Sequence, residues 1–211
     1  MVNEMTGMFK NCKKIKNLNL KSFDTSNVET MDRMFYGCEN LSNIDLSFLK
    51  TQNVRIFSSM FGNCINLEML DLSKFNTQNA IEINDMFFNC INLKKINLSS
   101  FHIPNVINSS KMFYKCKRLN NLNLKSFGAN KVSDMSAMFF ECESLTELDL
   151  SSFKIRGYNM EETFYGCNNL SQLNIDLIRI TKNSLINRMF DGCPNLTPKI
   201  IINFFSQINF N

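Results

Sequence analysis

Tryptophan is absent from the chain, histidine occurs once, proline three times and glycine seven times in 211 residues. Each scarcity excludes something. His102, the single imidazole, lies in a turn after Phe101 with no cysteine or carboxylate held near it by the sequence, so it reads as a surface-loop residue and the commonest general base is all but missing. No G-x-S-x-G, H-E-x-x-H or phosphate-cradling glycine loop occurs. Carboxylates that could pair in space, Glu161 with Glu162 or Asp45 with Asp71, have no evident pocket to act in. We therefore expect no catalytic residues, no cofactor and no enzyme activity. With so few glycines and prolines, turns must be made by the abundant asparagine and aspartate, which fold the chain by bonding to nearby backbone.

Long apolar runs are missing too. No stretch approaches the roughly 20 residues that span a bilayer, and the opening MVNEMTGMFKNC has neither the basic start nor the apolar run of an export signal. The expectation is a soluble chain with no transmembrane segment and no signal peptide. Charge of one sign is not concentrated: 23 basic and 19 acidic residues are scattered for a net +4, so no nucleic acid partner is expected. The nearest approach to a cluster, Lys94, Lys95, Lys111, Lys115 and Arg118, reads as an ordinary solvated edge.

The eight cysteines, by contrast, fall on one ruler. Cys12, Cys38, Cys64, Cys90, Cys116, Cys142, Cys167 and Cys193 are separated by 26 residues five times, then by 25, then by 26. A fixed period of this length signals stacked repeats. Around each cysteine the pattern M-F-x-x-C-x-x-L-x-x-L-x-L-x-x-F returns, as in MFYGCENLSNIDL from Met34 and MFFECESLTELDL from Met138. Met31, Met34, Phe35 and Cys38 stand at i, i+3, i+4 and i+7, which predicts a short helix with all four facing inward. Ile44 and Leu46 alternate with Asn43, Asp45 and Ser47, which predicts a strand with one buried face. The following turn, Phe23 to Val28 in the first unit, carries Asn27; this residue and its repeats Asn53, Asn79 and Asn105 either cap the next helix or bond to the neighbouring coil, and Lys131 breaks the column.

One such unit buries too little apolar surface to stand alone, so neighbours must join their strands and merge their inner faces. The expected fold is an α/β solenoid of about seven 26-residue coils, with a parallel sheet on one face and short helices on the other. Residues 1–211 read as a single elongated repeat domain, with coils starting near Met8, Met34, Met60, Met86, Met112, Met138 and Thr163. A C-terminal cap is expected over about 189–211, where Pro194 and Pro198 interrupt the pattern and IIINFFSQINF can lie over the last coil. Val2 aligns with Val28, so the chain enters in mid-unit; the uncapped N-terminal coil, with its open strand edge, predicts self-association.

On these residues the chain resembles the BspA-like leucine-rich-repeat family, built on the bacterial surface protein 26-residue repeat. MFYGCENLSNIDL, a turn such as SFDTSNV and a start such as ETMDRMF match at almost every apolar and cysteine position from about Met5 to Leu196. Thr163 in place of Met, the residue lost between Cys142 and Cys167, and the irregular turn from Ile155 to Tyr158 depart from the pattern. The resemblance implies a leucine-rich-repeat fold and a cell-surface or secreted protein of bacteria or anaerobic protists, engaged in adhesion; it names no ligand. The expected function is a noncatalytic macromolecule-binding scaffold with a protein or glycan partner. The alternative is an intracellular, cytoplasmic leucine-rich-repeat adaptor joining proteins, which free thiols would favour.

Three columns are candidates for structure or binding. The cysteines form a line of parallel thiols that fill the core; their shared direction suits a disulfide torsion poorly, and a line of ligands does not converge on a metal, so no metal site is expected. The outward strand positions Asn19, Asp45, Asp71, Asn97, Asn123, Asp149 and Asn174 form either a polar recognition strip or a plain solubilising column with cross-strand amide bonds. Calcium is a minor version of the first reading, through Asp45 and Asp71. Beside them Asn17, Asn43, Met69, Lys95, Asn121, Glu147 and Gln172 supply the variety that specific binding needs. Tyr36, Phe88, Tyr114, Phe140 and Tyr165, with Gly62 as a gap, make an aromatic flank that either packs between coils or forms an exposed ribbon for protein or sugar contact.

Overall fold

The computed structural model describes residues 2–154 and 156–206. Its coils stack in parallel, with the register fixed by the repeat length. On one face β1 (Met69–Asp71) pairs with β2 (Lys95–Asn97), Leu70 opposite Ile96, and β3 (Glu147–Asp149) pairs with β5 (Gln172–Asn174), Leu148 opposite Leu173. A second parallel line runs from Glu4 through Thr30, Ile56, Glu82, Asn108 and Asp134 to Asn159, one bridge per coil. Near its end it widens into β4 (Arg156–Asn159) paired with β6 (Arg179–Leu185), with a register shift between Gly157 and Asn159. Of the irregular turn expected over 155–158, Ile155 lies outside the described residues and the rest belongs to β4.

The strand ladder is parallel but not continuous. Asn17–Asn19, Asn43–Asp45 and Asn121–Asn123 form no strand, and the described strands fall into two-stranded sheets. The sequence explains where the gaps fall. Each unpaired triplet starts with asparagine, whereas the paired triplets start with Met69, Lys95, Glu147 and Gln172. Asparagine is disfavoured in strands because its amide competes for nearby backbone groups.

The opposite face shows a further difference in local conformation. The segments around each Met-Phe pair are runs of turns rather than short helices. In the third coil Met60, Gly62 and Cys64 donate back to Phe57, Ser59 and Phe61, three residues earlier, while Phe57, Ser59, Phe61 and Asn63 donate across to Glu82, Asn84, Met86 and Phe88 of the next coil at 2.7–3.0 Å. Ser59 and Asn63 take φ of 54° and 59° to allow this alternation. An α-helix would direct every N–H along its own axis, and a segment this short gains little from doing so. The turns keep the same four side chains inward yet send every second N–H to the neighbour. Gly192, at φ 74°, occupies one of these left-handed positions where a Cβ would lie 3.0 Å from the Gly166 backbone, so no larger residue fits without a shift.

Inside, Phe9, Phe35, Phe61, Phe87, Phe113, Phe139, Phe164 and Phe190 form one stack with ring centroids 5.4–5.9 Å apart. The stack ends edge-on: α1 (Pro198–Phe205) places Phe204 and Phe205 at 88° and 89° to Phe190. This helix lies in the expected cap, of which 207–211 fall outside the described residues.

Candidate functional site

The outward column has a local duty in every coil. Asn19, Asp45, Asp71, Asn97, Asn123, Asp149 and Asn174 each accept, through Oδ1, the backbone N–H two residues on, at 2.9–3.2 Å. These turns carry the chain off the strand without glycine or proline. The hydroxyl and N–H of Ser47 hold the Asp45 carboxyl below its ordinary value; the N–H and hydroxyl of Ser73 and Ser151 do the same for Asp71 and Asp149, with smaller contributions from Asn97 and Asn174. Lowered carboxyl values mean the unfolded chain binds protons first, so this stability is present above about pH 3.9 and is lost as pH falls below it. Urea midpoints should drop between pH 4.5 and 2.5, and drop less in the triple variant Asp45→Asn, Asp71→Asn, Asp149→Asn, whose amides keep the turns at any pH. Parallel acid profiles for the two proteins would contradict this assignment.

A hollow of about 620 Å³ opens on this face over the last three of these coils. Asn123, Asp149 and Asn174 line it together with Asn121, Glu147 and Gln172, and Ile200 of α1 forms one wall. It lies beside the Asn121–Asn123 gap in the ladder; a smaller hollow of about 510 Å³ accompanies the gap at Asn17–Asn19. The sequence pattern missed Ile200 and Ser171 as lining residues, because only the folded chain brings α1 beside the strands.

The aromatic flank is half-buried. Phe88, Tyr114, Phe140 and Tyr165 stack at 4.6–4.9 Å with planes within 15°, and Arg188 covers the far face of the row, 4.5 Å from the Tyr165 centroid. Tyr36 leans over Gly62, whose Cβ would stand 2.8 Å from its ring. Ring faces between Phe88 and Tyr165 are thus occupied by one another, and the far face of Tyr165 by Arg188. The five basic residues form no stripe: Lys94 pairs with Glu68 at 2.8 Å, Lys111 is exposed in the turn face, Lys115 approaches Glu141 at 3.9 Å, Arg118 donates to Asn92, and Lys95 lies on the strand face. Glu161 and Glu162 accept from Asn187 and Arg188 rather than converging. His102 is exposed against Gly128, and among the described residues no three metal-ligating side chains gather.

The family model for "Mycoplasma protein of unknown function, DUF285" matches residues 3–122 and 88–204. The chain belongs to the DUF285 family. No curated protein matches it in sequence. Among solved structures, a leucine-rich-repeat protein of T. pallidum is 21% identical over 92% of this chain and 84% of its own, with a TM-score of 0.61. A leucine-rich cell-surface protein of Faecalibacterium prausnitzii is 17% identical with a TM-score of 0.42, and a leucine-rich-repeat protein of Bacteroides ovatus is 20% identical with a TM-score of 0.38; the chain spans 93% of itself and 63% of each of them. The fold of this DUF285 protein is therefore a leucine-rich-repeat solenoid with parallel strands.

The same DUF285 coils carry polar columns that hold the stack. Seven cysteines are buried and Cys12 is half-buried; all are free. From Cys38 onward each thiol donates to the phenylalanine carbonyl of the preceding coil, as Cys116 does to Phe87 at 3.2 Å. Burial pushes Cys38 up to about 11 and Cys90 to about 12. Native protein at pH 8 should therefore react with iodoacetamide at Cys12 first and at Cys38, Cys64, Cys90, Cys116 and Cys142 only after unfolding; stability should fall as pH rises from about 9 toward 12, where the unfolded chain loses thiol protons that these five keep in the folded one. Fast labelling of Cys90 in the native state would contradict this.

Asn53, Asn79 and Asn105 bond to the neighbouring coil, donating to Ser26, Gln52 and Gln78, and Lys131 continues the column by donating to Asn105 at 2.9 Å. A second asparagine column, two residues past the cysteines, does likewise from Asn40, Asn92, Asn169 and Asn195. Its spacing is plain in the repeat and could have been found there. The buried Thr25, Thr51 and Thr77 keep the same 26-residue spacing, and each clamps the next coil by both donating to and accepting from one residue.

Proposed function

We propose that this protein is a noncatalytic scaffold of the BspA-like type, displayed at a cell surface or secreted, and that a macromolecular partner seats in the strand-face hollow. The observation that carries the reading is a division of labour among side chains. Inner columns and turn residues hold the coils together, whereas Asn121, Glu147 and Gln172 are exposed around a concave site on a rigid framework. Concave sites with a few placed polar groups are where ligands are held. Surface location is supported by the resemblance of the repeat to BspA-like proteins. An intracellular adaptor is the second reading, favoured by the free thiols.

Two measurements separate them. Fluorescently labelled chain should bind a panel of intact animal and bacterial cells saturably, with unlabelled chain competing, and antibody should detect the protein on unpermeabilised producing cells. Absence of saturable binding together with a purely cytoplasmic location would defeat the surface reading and leave the adaptor.

A further inference from the structure

We propose that the strand-face hollow takes a linear, neutral oligosaccharide laid along the solenoid axis, one sugar ring per coil. The inference rests on the scaffold reading above and specifies its ligand. Its first support is register. Asn123, Asp149 and Asn174 occupy equivalent positions in three consecutive coils, with Asp149 directly opposite Asn174, and Asn121, Glu147 and Gln172 repeat beside them, with Glu147 opposite Gln172. On the strand face β3 and β5 are hydrogen-bonded parallel neighbours, about 4.7–4.9 Å apart, a spacing close to the advance of an extended pyranose chain per residue. A chain that advances one ring per coil brings each ring beside one pair of polar groups.

The second support is chemistry. Amides and carboxylates are planar and offer paired donor and acceptor sites that suit neighbouring hydroxyls. The amide oxygens of Asn123 and Asn174 and one carboxylate oxygen of Asp149 accept the turn N–H, and the Asn174 side chain also bonds to Asp149, which orients the groups before any ligand arrives. Ile200 and Leu173 offer apolar contact to the C–H faces of a sugar. Charge points the same way. Two carboxylates, Glu147 and Asp149, face one ammonium, Lys125, which leaves no basic row for phosphate or sulfate. Among the described residues the lining holds no aromatic residue and no arginine, the side chains that most often anchor protein partners.

The aromatic row, the other place where sugar could be sought, has its faces between Phe88 and Tyr165 occupied by stacking. The hollow is therefore the stronger glycan site.

The test uses the full chain and two defined series, β-1,4-linked and α-1,4-linked glucose oligomers from monosaccharide to pentasaccharide, followed by saturation-transfer NMR and titration calorimetry. We expect affinity to rise with length up to the trisaccharide, matching three coils, and then level off, with the extended β-linked series binding better than the coiled α-linked one. Gln172→Ala and Asn121→Ala should each weaken binding by about tenfold, while Lys14→Ala, exposed in the first coil and away from the hollow, should leave it unchanged. Urea unfolding of each variant checks that the fold is intact. If neither series binds or displaces the labelled chain from cells, while saturable cell binding persists, the oligosaccharide inference fails and the scaffold reading stands with a protein partner. Binding that ignores Gln172 and Asn121 would also overturn it.

Discussion

Replacing Phe113 with alanine is expected to lower the unfolding free energy by about 3–5 kcal/mol, the usual range for removing a fully buried aromatic ring. Phe113 has no exposed surface and stacks on Phe87 at 5.4 Å and on Phe139 at 5.8 Å, so its removal opens a gap in the middle of the core column. Both neighbouring rings are pinned by their own coils, and the alternating turns on either side fix the coil spacing through backbone bonds such as Phe113 to Met138 at 2.9 Å. Collapse to fill the void is therefore resisted. In a stack stabilised by nearest-neighbour contacts, the loss falls on the interfaces with coils four and six and should uncouple the two halves. Urea unfolding of the variant should show an earlier transition, broadened or split. A change below about 1 kcal/mol would mean the column is not what couples the coils.

The second large effect is expected from Thr51→Val, a change that preserves shape and raises hydrophobicity. Thr51 is 2% exposed. Its hydroxyl donates to the Asn76 carbonyl at 3.1 Å and accepts the Asn76 N–H at 2.7 Å, so one side chain satisfies both backbone groups of a residue in the next coil. Valine leaves both without a partner, at a cost of about 2 kcal/mol or more. The fourth coil shows what an aliphatic residue requires here: Ile103 stands at the equivalent position, and its backbone N–H bonds directly to Phe127 at 2.7 Å. Coil two has no such rearrangement. Thr51→Ser should recover most of the loss, which separates the hydroxyl's contribution from packing. Equal stability of the valine variant and the parent, by urea denaturation, would refute the clamp.

Much of this architecture is legible in the repeat. The spacing of the cysteines sets the coil length, and the inward residues Met31, Met34, Phe35, Cys38, Leu41, Ile44 and Leu46 are all buried as their periods predict. What periodicity could not supply is the hydrogen bonding behind it. An i, i+3, i+4, i+7 pattern is shared by a helix and by a run of alternating turns, and the choice between them depends on whether N–H groups bond within the coil or across to the next. The left-handed residues that decide it, Arg33, Asp85 and Lys111 among them, carry no common residue type. The candidate columns were visible as columns. Their duties emerged only from the fold: the Asn and Asp positions are turn acceptors, the aromatics stack face to face, and the cysteines are donors as well as space fillers. The hollow combines strand residues with Ile200, far along the chain, which no local pattern can link.

The central claim is that binding depends on exposed strand-face side chains, Asn121, Glu147 and Gln172, that the stacked framework itself does not need. The most direct measurement is made on a single preparation of the double variant Asn121→Arg, Gln172→Arg, recording its urea midpoint and its saturable binding to intact cells beside the parent protein. Both positions are exposed, and neither contributes one of the Oδ1 turn bonds. The account predicts an unfolding free energy within about 0.5 kcal/mol of the parent and cell binding weakened by about tenfold or more. Undiminished binding at unchanged stability would contradict it, by showing that the strand-face hollow is not where the partner sits.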